Sequence, residues 1–284
     1  MIKHALPTCT QWVDALSACM ALPVSPDTVA EIGELAALEG EQGSVNPHLI
    51  AQNIGGDPLA VLQILRRVAG LCQDRGVSAP QTLTAAIIML GVGPFFREFG
   101  QPVPVDEHLQ GHPEALQELQ DLTRRSRRAA RLAVNVASER QDEDADALQE
   151  AALLHEFTEM LLWCHAPVLA ARLRALRAGL PTEASAADKA ALQRQVLGVS
   201  VLDLSQALIE AWQLPKLLMQ VMEPAQAGHP QVLTVLLAVR IVRHSRDHGE
   251  RLALPALSDD IAELAQLLGL SLEGAQSKLL ELDF

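Results

Sequence analysis

The stretch IAQNIGGDPLAVLQILRRVAG, residues 50–70, contains the end of one helix, a tight break and the start of another. Gly55 and Gly56 are expected to end the first helix. Asp57 has a side chain that accepts hydrogen bonds from the N–H groups of a first helical turn. Pro58 suits the first helical position, because its missing N–H is not needed there. The Leu-, Ile- and Val-rich run that follows has helical spacing, so the stretch predicts two helices joined by a short turn.

The same pattern extends over the rest of the chain. Apolar residues recur at helical spacing and no stretch has the alternating pattern of a strand. Helices are predicted over 27–39, 82–90, 113–140, 187–197, 200–212, 214–222, 230–248, 258–268 and 271–281. One continuous helix is predicted from near Asp146 through Trp163 to Pro167. We therefore predict an all-α protein, in which short connections favour antiparallel packing in a compact bundle.

The composition weighs against several classes of function. Of 284 residues, 49% are apolar and the net charge is −13, a charge that would repel nucleic acid and anionic lipid. The most apolar run, 83–96, is broken by Gly91, Gly93 and Pro94, and it is too short to span a bilayer. The four cysteines form no Cys-x-x-Cys pair, and no signal peptide is recognisable. We expect a soluble, reduced, cytoplasmic protein without nucleic-acid or membrane partners.

His155 and Glu156 stand side by side within LLHEFTEML, residues 153–161. A catalytic metal needs several ligands that converge from different helices. Adjacent residues on a helix point about 100° apart, so one doublet supplies two ligands at most. The residues alone leave two interpretations open: part of a metal site, or a buried His whose neighbouring Glu reaches solvent. Composition favours the second.

Two further groups of side chains are candidates for binding. His244 and His248 are four residues apart, which suits a zinc pair, but cations before Gly249 are also typical of a helix C-terminus. An arginine-rich run could bind a nucleotide or another anion, and its candidate residues are Arg124, Arg125, Arg128 and Arg131. The alternative is a solvated helix face that pairs with nearby acids.

Four stretches, taken in order, resemble motifs of the HDOD family, the HD-related output domain of bacterial signalling proteins. They are 50–70, AIIMLG within 83–99, LLHEFTEML within 151–161, and the segment 197–222 with its Trp-x-Leu-Pro motif at Trp212–Pro215. The resemblance runs from about Leu22 to the end. It implies an HD-domain-like helical bundle over 21–284, with an N-terminal lobe of about 21–100 and an HD-like lobe of about 101–284. Whether the segment 1–20 is ordered is left open.

The HDOD family resembles the metal-dependent HD phosphohydrolases in fold, and this resemblance allows the metal ligands to be compared. The His–Asp doublet of those enzymes falls on His155–Glu156. Their other ligand positions fall near Arg125, on Val201, at Glu223–Pro224, and near Val239 or Arg240. One ligand is kept, one is altered and the rest are lost, so the doublet is predicted to be a relic that holds no metal. Ala152 and Ser205 replace glycines of the family motifs, so a repacked interior is expected.

The sequence therefore favours a non-catalytic regulatory or scaffold module of bacterial signal transduction. It would bind a signalling protein of unknown identity, or a small anion, and would need no cofactor. Two alternatives stay open. One is a divergent phosphohydrolase whose metal is held by His155, Glu156 and the His244/His248 pair. The other is a nucleotide-binding sensor that uses the four candidate arginines.

Overall fold

The computed structural model describes residues 1–19, 21–181, 184–245 and 255–281. Within these ranges the regular structure is helical, apart from an isolated bridge between Val24 and Pro104, and the all-α prediction is confirmed. The helices are α1 (Cys9–Ser17), α2 (Pro26–Gln42), α3 (Pro47–Ile54), α4 (Pro58–Asp74), α5 (Leu83–Leu90), α6 (Val92–Phe99), α7 (Val105–His108), α8 (Pro113–Glu139), α9 (Ala145–Leu154), α10 (Phe157–His165), α11 (Pro167–Ala178), α12 (Ala186–Leu197), α13 (Val201–Ala211), α14 (Lys216–Val221), α15 (Pro230–His244), α16 (Pro255–Leu268) and α17 (Leu272–Glu281).

The chain packs into two compact units, and each is built from separate segments. Unit 1 comprises Met1–Thr123 and Glu156–Leu214, and unit 2 comprises Arg124–His155 and Pro215–Phe284. These units are defined by packing. The lobe boundary near residue 100 that the family resemblance implies stays a prediction.

Asp57 organises the start of unit 1. Its carboxylate accepts hydrogen bonds from the backbone N–H of Leu59 at 3.0 Å and of Ala60 at 3.2 Å, so it caps α4 as predicted. The other carboxylate oxygen accepts from the N–H of Ser25 at 2.7 Å and from the hydroxyl of Thr28 at 2.9 Å. Asp57 is only 3% exposed. One buried carboxylate therefore ties the first turn of α2 to the first turn of α4.

The N-terminal segment is held in unit 1 by Trp12, on a helix that was not among those predicted. Trp12 is fully buried, and its indole N–H donates to the carbonyls of Leu6 at 3.1 Å and Leu197 at 3.0 Å. Gly198 follows with φ +87°, and a Cβ at that position would lie 2.3 Å from the Leu6 carbonyl oxygen. The buried Trp12 therefore anchors α1 to unit 1.

The Trp-x-Leu-Pro motif ends α13 and contacts the same N-terminal segment. The indole N–H of Trp212 donates to the Ser17 hydroxyl at 2.8 Å, and the Arg66 guanidinium lies 4.9 Å above the indole ring. Deeper in unit 1, the buried hydroxyls of Thr158 and Ser205 are 2.8 Å apart. Because the Ser205 hydroxyl donates to the Val201 carbonyl, Thr158 is the donor to Ser205. Ser205 therefore fills space that a glycine would leave empty.

Unit 2 has its own apolar core. Leu132 and Val136 of α8 pack there with Leu148 of α9, Val235 of α15 and Ile261 of α16, and all five are at most 2% exposed. The turn before α9 is held by Arg140, which donates to the Pro230 carbonyl and the Thr234 hydroxyl. The predicted helix 230–248 ends at His244, because Ser245 has a non-helical ψ of 65°. Residues 246–248 lie outside the described residues.

The prediction of one continuous helix from near Asp146 to Pro167 is wrong. The structure has α9 and α10 in its place, separated by His155 and by Glu156, whose ψ is 17°. Apolar residues continue at helical spacing across the break, so the periodicity gave no sign of it. The residues before the break belong to unit 2 and those after it to unit 1.

Among the described residues, no helix has the length and apolar character needed to cross a membrane.

Candidate functional site

The His155–Glu156 doublet lies where the chain leaves one unit and enters the other. His155 is the last residue of its unit 2 segment, and its N–H donates weakly to the Ala152 carbonyl at 3.4 Å. Glu156 begins the next segment of unit 1, and its carbonyl accepts from the Met160 N–H at 3.2 Å. Both side chains are half-buried. The doublet therefore occupies a helix break, and its two side chains do not stand on one regular helix.

The candidate arginines of α8 have different environments. Arg124 and Arg131 are exposed, Arg125 is half-buried and Arg128 is buried. A nitrogen of the Arg128 guanidinium lies 3.5 Å from the Ser245 hydroxyl. Two of the four side chains, those of Arg124 and Arg131, are thus exposed to solvent. The prediction of an anion site on all four residues stays a prediction, and Arg124 and Arg131 are its accessible part.

His244 takes part in a charged network between α15 and α16. Its Nδ1 lies 2.7 Å from a carboxylate oxygen of Asp260, which is 4% exposed. The Nε of Arg240 lies 3.1 Å from the other oxygen, and a terminal nitrogen of Arg240 also contacts the Glu263 carboxylate. The predicted partner of His244 in a zinc pair, His248, lies outside the described residues. In the part that is described, His244 is oriented by a carboxylate of the neighbouring helix.

At three of the other ligand positions, the residues do not fit a divalent metal. Arg125 and Arg240 carry guanidinium groups, which donate hydrogen bonds and offer no lone pair to a metal. Val201 is apolar and is the first residue of α13. Across the ranges that the structure describes, no three His, Cys, Asp or Glu side chains lie close enough together to hold one metal ion. No reaction step through a metal follows from this arrangement.

Two histidines that the sequence gave no reason to single out lie together in unit 1. The rings of His108 and His165 are 5.5 Å apart and nearly perpendicular. The Nε2 of His108 is 3.0 Å from the Cys164 carbonyl, and since a carbonyl only accepts, that nitrogen carries the hydrogen. Burial, assisted by the charge of His108, lowers the pKa of His165 to about 4. The two residues are far apart in sequence, so no local pattern could have indicated the pair.

A sequence model of the HDOD domain matches residues 22–227. The chain belongs to the HDOD family. The match includes the Asp57 cap, the doublet and the Trp-x-Leu-Pro motif, and it stops before α15, so the His244–Asp260 network lies beyond it. No curated protein matches the chain in sequence.

Solved structures support the HDOD fold over nearly the whole chain. The MmoQ response regulator from Methylococcus capsulatus superimposes with a TM-score of 0.66 at 22% identity, covering 92% of this chain and 98% of its own. A virulence factor from Campylobacter jejuni superimposes with a TM-score of 0.62 at 18% identity, covering 96% and 97%. At these identities the likeness is one of fold. The assignment to the HDOD family rests on the sequence model.

Proposed function

We propose that this HDOD protein is a non-catalytic regulatory or scaffold module of bacterial signal transduction that acts by binding. The observation that carries the proposal is the pairing of Arg240 with two carboxylates. By the family resemblance, the late acidic metal ligand of the HD phosphohydrolases corresponds to a position near Val239 or Arg240. In this chain Arg240 carries a fixed positive charge and pairs with Asp260 and Glu263. A guanidinium stays protonated at any physiological pH, so it would repel a divalent ion. The doublet alone cannot replace the missing donors.

The proposed setting is the bacterial cytoplasm, with a signalling protein as the partner. Support for signalling comes from the family and from the likeness in fold to a protein described as a response regulator. Support for a reducing compartment comes from the cysteines, because all four are free thiols. The partner would be bound through an exposed surface of the protein, because the proposed module acts by binding.

Metal content and turnover test the proposal together. Untagged protein, purified without chelators, is analysed by elemental mass spectrometry and assayed against bis-p-nitrophenyl phosphate with added manganese, iron or zinc. We expect well below one metal per chain and no hydrolysis above the His155→Ala variant. One equivalent of metal that is lost on His155→Ala, together with hydrolysis, would establish the phosphohydrolase alternative. The same assay on His244→Ala reports whether the second histidine of that alternative takes part.

A nucleotide sensor is the second candidate, because Arg124 and Arg131 are both exposed and lie seven residues apart on one face of α8. It predicts nucleotide binding that weakens as salt rises, since exposed charges are screened. Differential scanning fluorimetry with a panel of mono-, di- and cyclic nucleotides would detect the binding as a rise in Tm. The rise should disappear in Arg124→Gln/Arg131→Gln and persist in Arg194→Gln, an exposed control on α12. A panel in which no nucleotide raises Tm removes this candidate.

A further inference from the structure

A groove with an apolar floor opens on unit 1, between the end of α4 and the helices α5 and α6. Its volume is about 230 Å³. Val68 and Cys72 form the floor and are 2% and 4% exposed, while Val77 and Met89 stand at the mouth and are 52% and 43% exposed. Val77 and Met89 therefore extend the apolar lining from the floor to the mouth of the groove. The groove therefore has the apolar lining of a small-ligand site.

The charges around the groove define the kind of ligand. Glu98 lines one wall, and its two oxygens pair with Arg67 at 2.7 Å and 3.1 Å. That hydrogen bonding raises the pKa of Arg67 and lowers the pKa of Glu98, so both stay charged and neutralise each other. Arg75 lines the groove as well, and it forms no ion pair with any residue that the structure describes. One positive charge is left over at an apolar cavity.

We propose that this groove binds a small apolar monocarboxylate, with the carboxylate at Arg75 and the chain over Val68 and Cys72. A single negative charge matches the single cation that lacks a partner. A phosphate would bring two negative charges to a groove that has one uncompensated cation. A groove of about 230 Å³ is small for a ligand site, so the apolar chain is short. The ligand class is therefore a medium-chain carboxylate, for which octanoate is the test compound.

Titration calorimetry of the full chain with octanoate tests the proposal. We expect saturable binding of one octanoate per chain. Hexanoate should bind roughly fifteenfold more weakly, at about fourfold for each buried methylene removed. Decanoate should gain little, because the cavity is already full. Affinity that keeps rising with chain length, or binding that does not saturate, would mean detergent-like adsorption and would overturn the proposal.

Charge variants test the role of Arg75. Arg75→Gln should weaken octanoate binding about tenfold, the loss expected for one charge-assisted hydrogen bond. Octanol, which has no charge, should bind both forms equally. Arg97→Gln is the matched control, because Arg97 is an exposed cation of α6 that does not line the groove. The affinity of this variant for octanoate should equal that of the wild type. Equal losses in the two variants would show that only the general surface charge matters.

Thiol alkylation gives a second readout that needs no variant. N-ethylmaleimide modification is followed site by site by mass spectrometry with and without octanoate. We expect octanoate to slow the modification of Cys72 and to leave the half-buried Cys9 and Cys19 unaffected. Unchanged reactivity at Cys72 with octanoate bound would place the ligand elsewhere. The result is independent of metal content, so the proposed function and the groove can fail separately.

Discussion

Two aspartates are buried to the same extent and are used in opposite ways. Asp57 is 3% exposed and Asp260 is 4% exposed. Asp57 is surrounded by neutral donors, three of them backbone N–H groups, and lies within the family match. Asp260 is surrounded by the Arg240 guanidinium and the His244 imidazole and lies beyond that match. The Asp57 carboxylate fixes the path of the backbone, because its partners are mainly backbone N–H groups. The Asp260 carboxylate instead links α16 to side chains of α15.

Replacing Asp57 should have the largest effect of any change considered. Asp57→Ala leaves the first turn of α4 uncapped and the buried donors of Ser25 and Thr28 unsatisfied. We expect a loss of about 3–4 kcal/mol in the free energy of unfolding. Urea unfolding followed by circular dichroism measures it. Asp27→Ala is the control, because Asp27 is exposed in the first turn of α2, and a loss as large in this variant would contradict the special role of Asp57.

His165 sharpens the comparison, because it is a buried ionisable group that forms no ion pair with any residue in the described part of the chain. Its pKa is lowered to about 4 by burial, against about 6.5 when unfolded. The unfolded chain therefore takes up a proton between pH 6.5 and 4 that the folded chain does not, and stability falls as the pH falls through this range. The loss should reach about 3 kcal/mol at pH 4.

Unfolding at several pH values, compared between wild type and His165→Leu, isolates this contribution. The variant should lack the part of the slope that comes from His165. His48→Leu, at an exposed histidine, should keep the wild-type slope. Identical slopes in wild type and His165→Leu would refute the assignment.

Asp260 should matter less than Asp57. In Asp260→Asn, Arg240 loses its counter-charge and His244 loses its carboxylate partner, but both side chains are more than one-third exposed and can turn to water. We expect a loss of about 1–2 kcal/mol. The loss should shrink in 1 M salt, whereas that of Asp57→Asn should not, because its partners are neutral. An equal effect of salt on the two variants would contradict this difference between Asp57 and Asp260.

Thr28 offers the smallest change. Thr28→Val keeps the shape of the side chain and removes one of the hydrogen bonds to Asp57. The expected loss is about 1 kcal/mol, close to that of one buried hydrogen bond. Combining Thr28→Val with Asp57→Ala in a double-mutant cycle should give less than the sum of the two losses, because the bond can be lost only once. Strict additivity would show that Thr28 acts through something else.

Interactions between residues close together in the sequence could be predicted, whereas interactions between residues far apart in the sequence were missed. The Asp57 cap could be predicted because an N-cap and its donors lie within three residues of each other. The Asp260 network could not, since its partners are joined only when α15 and α16 pack side by side. The helix break at His155 was missed for a related reason: helical spacing reports which residues are buried, and it does not report that they are buried in two different cores.

The doublet itself could be identified from the sequence, because the motif around it is local. The environments of the arginines could not be, since spacing placed Arg124, Arg128 and Arg131 on one face without showing which of them packing would cover. Burial of Arg128 depends on the end of α15, more than a hundred residues away.

The interleaving of the two units restricts how this protein can be divided by recombination. The chain passes from one unit to the other at Thr123–Arg124, His155–Glu156 and Leu214–Pro215. A gene fragment that ends at any of these points encodes part of one unit without the remainder of its core. Neither unit can therefore be expressed, fused or exchanged as one continuous segment of the chain.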